Sequence, residues 1–247
     1  MSDLLTFIYI GAVFLLAGAV KGVIGLGLPT VAMGLLSLVM LPAEAASVLI
    51  LPSLFTNVWQ LVRGPHIGPL LLRLWPMLLG IVAGTIAAAG VITSDAAGGA
   101  TMGLGAALLL YGAVGLVRSR LRLPSKAEPW AGPVVGVGTG LITGATGVFV
   151  VPVVPYLGSL GFNRDELVQA LGLSFTVATL ALAAALGAHG ALSLGSTGTS
   201  LLALLPALAG MVLGGWLRTH ISTQTFRICF FGGLIALGVQ LLWQGLR

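Results

Sequence analysis

Leu16-Ala-Gly18-Ala-Val-Lys21-Gly22-Val-Ile-Gly25-Leu-Gly27-Leu-Pro29, set beside Gly138-Thr139-Gly140-Leu-Ile-Thr143-Gly144-Ala-Thr146-Gly147-Val-Phe-Val-Val-Pro152, decides how this chain folds. A shift of 122 residues lays Gly18, Gly22 and Gly25 on Gly140, Gly144 and Gly147 without a gap. It also pairs Glu44 with Glu166, Leu49 with Leu171 and Leu51 with Leu173. At a shift of 130, Pro76-x-x-x-Gly80-x-x-x-Gly84 falls on Pro206-x-x-x-Gly210-x-x-x-Gly214. Three features repeated in the same order predict a duplicated chain. The first repeat covers 1–118, a basic linker 119–129 and the second repeat 130–247.

Outward from the motif the chain is too apolar for water. Of 247 residues 57% are hydrophobic and 7% charged, with mean hydropathy +1.11, whereas a soluble domain carries roughly a quarter charged residues. The reading is an all-α polytopic membrane protein. Lys and Arg outnumber the acids 11 to 6. In such a chain that excess marks cytoplasmic loops, so no nucleic-acid partner is expected. The single cysteine, Cys229, excludes an intramolecular disulfide and is expected as a buried, inert thiol. Met1-Ser-Asp3 has no basic stretch and no small-residue cleavage site follows, so the first apolar run reads as mature structure.

A crossing of about 30 Å of hydrocarbon takes some 20 residues. Six segments qualify: 45–62, 70–92, 98–117, 166–188, 198–217 and 224–243. Three fall in each half, and an odd number of crossings inverts the second copy. Before each trio stand two short runs joined at the glycine motif, 4–20 with 26–41 and 132–143 with 148–160. As a helix 132–143 rises only about 18 Å. Short interrupted segments at matching places in two halves point to a transporter's binding site. Each pair (4–41 and 132–160) is therefore expected as a re-entrant or broken hairpin, with two full crossings as the alternative. With the Arg118–Lys126 linker inside, alternation puts Arg63, Arg73, Arg164, Arg218 and Arg227 inside too, and Asp3, Glu44 and Asp95 outside with both termini.

Catalysis finds no footing. HExxH, GxxxxGK[ST] and GxSxG are all missing. By this topology all six acids and His66, His189 and His220 fall in loops, and neither metal nor cofactor is expected. Breaks in the helices at Gly22, Gly25, Gly27, Gly144 and Gly147 would instead free backbone N–H groups, which favour an anion. Close packing of small residues is the competing explanation of the same glycines. Lys21 would sit at one tip, where a cation costs roughly 2.5–3.5 kcal/mol that an anion would offset. Thr143 takes its place in the other half, with Thr146 nearby. Asn57, Gln169, Ser174 and Thr179 add neutral donors, with Ser53, Thr56, Gln60 and Thr176 close to them. Glu44 and Glu166 read as helix N-terminal charges.

GAVKGVIGLGLP, GLITGATGVFVVP and Gly161-Phe-Asn-Arg-Asp-Glu166 together resemble the TauE/SafE sulfite exporter family along essentially the whole chain. The second glycine pair common after the family's first motif is replaced here by Leu26-Gly27-Leu28. The resemblance implies a permease in a bacterial inner membrane for sulfite, an organosulfonate or a related organic anion, with a homodimer possible. A cytoplasm-negative potential favours anion exit by about 2.3 kcal/mol per charge per 100 mV. With no carboxylate relay in the spans, potential-driven export or a substrate bringing its own proton is expected. An anion channel of the same fold, a nickel or cobalt permease, and a non-transporting assembly subunit are the alternatives.

Overall fold

A computed structural model of the chain describes residues 3–94, 97–117, 123–124, 126–192 and 194–246. Among them ten helices form. In the first half these are α1 (Asp3–Ile24), α2 (Leu28–Leu36), α3 (Pro42–Val62), α4 (Ile67–Ile92) and α5 (Ala97–Leu116). In the second they are α6 (Glu128–Thr146), α7 (Val153–Ser159), α8 (Arg164–Ala188), α9 (Leu194–Leu217) and α10 (Thr223–Gly245). No strand occurs among the described residues. Seven helices are long and apolar enough to cross a membrane: the six expected spans and, in addition, α1. The linker's arginines, Arg118, Arg120 and Arg122, with Asp95 and Arg247, lie outside the described residues.

The helices break at Gly25, Gly27 and Gly147 but not at Gly22 and Gly144. α1 runs unbroken through Gly22 and α6 through Gly144. At 22 and 19 residues they are about 33 and 28 Å long, so the first arm of each pair is not short. The turns come one step later. Gly25 and Gly27 take φ of 79° and 103°, and Gly147 takes 72°, the left-handed region that glycine enters at little cost. Only the second arms, α2 and α7, are short, with nine and seven residues.

Packing explains why the helices continue. A Cβ on Gly22 would stand 2.3 Å from the carbonyl oxygen of Met211 in α9, and one on Gly144 2.3 Å from that of Thr85 in α4. Gly210 and Gly214 are pressed equally hard onto α1, and Gly80 and Gly84 onto α6. The Pro-x-x-x-Gly-x-x-x-Gly segment of each half thus seats the glycine helix of the other. These are small-residue seams that let backbones touch, and α1–α9 and α4–α6 each run parallel. Two other pairs, α5 with α10 and α3 with α8, pack antiparallel. Gly105 meets Gly238 and Gly112 meets Phe231 between α5 and α10. Ser47 hydroxyl donates to Ala191 carbonyl, and Asn57 amide to Thr179, between α3 and α8.

Side chains facing away from these seams are apolar and exposed, as lipid contact requires; Leu72 and Leu205 are clear cases. Cys229 belongs to that outer face. It is exposed and not buried as expected, because α10 turns this side of its apolar run away from α5. Glu44 and Glu166 do serve helix starts. Glu44 carboxylate accepts from Leu41 N–H at 3.3 Å, and Glu166 forms a reciprocal capping box with Asn163. Pro52 inside α3 has no N–H to give Val48 carbonyl, and Ser200 hydroxyl of α9 donates to that oxygen at 2.7 Å. This ties the two helices near one end, and they part toward the other.

Candidate functional site

Where α3 and α9 part, a cavity of about 890 Å³ opens between α1, α3, α8 and α9. Its inner end is built by the last turn of α1, through Lys21, Gly22 and Gly25. Its rim carries Arg63 after α3, Arg164 opening α8 and Arg218 after α9. Arg63 lies over the Trp59 ring, 4.7 Å from its centroid. Among the described residues the one ion pair is Arg73–Glu128, at 2.5 Å, so none of the three rim guanidinium groups is neutralised by a carboxylate.

Lys21 is 3% exposed. Its ammonium donates to Thr56 hydroxyl at 3.0 Å and to Asn57 side-chain oxygen. Both partners are neutral. Asn57 passes the chain on, its amide donating to Thr179 hydroxyl at 3.3 Å, and Thr179 donates to Phe175 carbonyl at 2.7 Å. A lysine has three N–H donors, and among the described residues the third meets no protein acceptor. A buried cation held by dipoles alone keeps most of its desolvation cost. A negative guest in the cavity would offset it.

Of the expected site residues, Lys21, Gly22, Gly25, Asn57 and Thr179 are brought together here. The others are placed elsewhere. Gly27 lies under Val20 and Phe230, and Gly147 against Met33. Gly144 is spent on the α4 seam. Thr143, Thr146 and Ser174 turn their hydroxyls onto carbonyls of their own helices, Thr139, Ile142 and Ala170. Gln169 holds the α3–α4 turn: it donates to Leu61 and Gly64 carbonyls at 2.8 and 2.6 Å and accepts from His66 N–H at 2.9 Å. The cavity also meets the carbonyl end of α1, not the N–H end of α2, so its donors are side chains.

Trp59, Arg63, Arg164 and Arg218, which give the cavity its aromatic ring and its outer charges, are among the lining residues outside the expected set. The signal existed. Alternation of the spans already put all three arginines on one face, but spacing alone does not show that they meet.

No curated protein and no solved structure gives a match. Against protein-family models, residues 10–241 match the one described as Sulfite exporter TauE/SafE. With its multi-pass helical fold and nearly its whole length inside that match, the chain belongs to the TauE/SafE sulfite exporter family.

Proposed function

We propose that this protein is a permease carrying a small anion, sulfite or an organosulfonate, outward across a bacterial inner membrane. The observation that carries the reading is the cavity between α3 and α9, which runs from three arginines without carboxylate partners to a buried lysine bound only by neutral groups. Fixed cations along a water-accessible cleft concentrate anions. The positive-inside tendency puts the arginine rim at the cytoplasm, with both termini periplasmic. The antiparallel packing of α3 on α8 and of α5 on α10 supports two halves inverted in the bilayer.

From the cytoplasm an anion meets the arginines first and then Lys21, where Thr56 and Asn57 hold the ammonium in place. Exit down the potential gains about 2.3 kcal/mol per charge per 100 mV, so no coupling ion is required. Among the described residues no acid stands in a span centre to carry a proton; Glu44, Glu128, Asp165 and Glu166 occupy first helical turns.

Purified protein titrated with sulfite, sulfate, thiosulfate, sulfoacetate and simple carboxylates should melt higher with the true substrate. In liposomes the same anion should show saturable counterflow that responds to an imposed potential. Flux that never saturates would point to a channel, and uptake strictly dependent on a proton gradient would overturn potential-driven export.

A further inference from the structure

The Lys21 cavity lies between α1 and α3 of the first half and α8 and α9 of the second, and the repeat gives it a counterpart place between α6, α8, α3 and α4. Its positions have counterparts. Moving by 122 residues takes Lys21 to Thr143, Trp59 to Ala181, Arg63 to Ala185 and Arg164 back to Pro42, and the 130-residue register takes Arg218 to Ala88. Around the cavity Trp59, Arg63, Arg164 and Arg218 are exposed. At the counterpart place Thr143 of α6, Ala181 and Ala185 of α8 and Pro42 of α3 are all buried. One member of the pair is open and the other shut. All four cations of the open member are replaced by uncharged residues in the shut one.

The seams show what could move. Backbone contact along α1–α9 and along α4–α6 makes each pair a stiff unit, and these flank the central α3–α8 pair. Swinging α9 onto α3 closes the cleft that ends on Lys21. The mirror movement of α4 away from α8 opens its counterpart.

We propose that a latent cavity walled by Thr143, Ala181, Ala185, Pro42 and Ala88 opens to the opposite face when the Lys21 cavity shuts, and that its lack of cations makes that face the weaker anion binder. This rests on the permease reading and adds a direction to it: capture at a charged site and release into a neutral one.

The test uses the full chain with Cys229→Ser as background, in right-side-out and inside-out vesicles, and a membrane-impermeant maleimide. Trp59→Cys should label from the arginine face alone, and Ala181→Cys from the opposite face alone. Phe55→Cys and Val177→Cys, matched by the same shift, replace either variant that fails to fold. Labelling of the second-half cysteines from neither face, or from the arginine face, overturns the latent cavity. The labelling needs no substrate, so it stands apart from flux; absent sulfite and sulfonate flux would sink the permease reading alone. In liposomes of one orientation, half-saturation by sulfite should lie about tenfold higher outside than inside, and Ala185→Arg should lower the outside value about fivefold. Equal values on both faces would overturn the assignment of a weaker side.

Discussion

Asn57 and Thr179 stand 122 residues apart, the repeat shift itself, and are hydrogen-bonded to each other, amide nitrogen to hydroxyl at 3.3 Å. Matching positions can meet in this way only near the local two-fold relating the antiparallel helices α3 and α8. Both side chains are buried, so the contact couples the halves in a region that water does not screen. Asn57→Leu and Thr179→Val in a double-mutant cycle should show a coupling of about 0.5–1.5 kcal/mol, the net worth of one hydrogen bond. Melting of the four forms in detergent measures it, and strict additivity would show that the bond contributes nothing.

Lys21 separates binding from stability. Replacing it with Met keeps the volume and removes the buried charge. Lys21→Met should fold at least as well as the parent, because the desolvation cost disappears, while the shift in melting produced by sulfite or its organic analogue falls at least about tenfold in apparent affinity. Unchanged binding would remove Lys21 from the site, and a collapse of the unliganded protein would make it structural.

The spans were legible because hydropathy over some 20 residues is a property of the chain's own length scale. The six expected segments match α3–α5 and α8–α10 to within a few residues. The role of the glycines was not. A spacing of four serves a broken tip and a helix seam alike, and only the partner decides. Met211 and Thr85, which press on Gly22 and Gly144, lie far away in sequence. The same reason hid the arginine rim. Arg63, Arg164 and Arg218 each end or begin a span, and their convergence depends on how α3, α8 and α9 diverge.

Gln169 shows the reverse case, a residue with donor chemistry used for architecture. Its three bonds hold the end of α3 and the start of α4, and a Cβ on Gly64 would meet its side chain at 2.4 Å. Gln169→Leu leaves two carbonyls and one amide without that partner, at about 1–3 kcal/mol for each group that stays dry. A large drop in melting temperature is expected, with the affinity of whatever protein still folds unchanged. Loss of anion binding at unaltered stability would return Gln169 to the binding site.

Gly144 gives the sharpest test of seam against tip. An alanine Cβ there would stand 2.3 Å from Thr85 carbonyl oxygen and 3.0 Å from Ala88 and Ala89 backbone. Backbone cannot rotate aside, so α6 must back away from α4 over several turns. Overpacking of this kind costs about 1–3 kcal/mol, and Gly144→Ala should lower the melting temperature accordingly. Gly232 in α10 has nothing within 4 Å of the same added atom, and Gly232→Ala should be neutral or slightly stabilising, since alanine is the better helix former. Were Gly144 instead a tip offering its amide to a ligand, the added methyl would leave the unliganded protein's stability alone and act only on affinity. Melting curves of both variants with and without anion decide between the two.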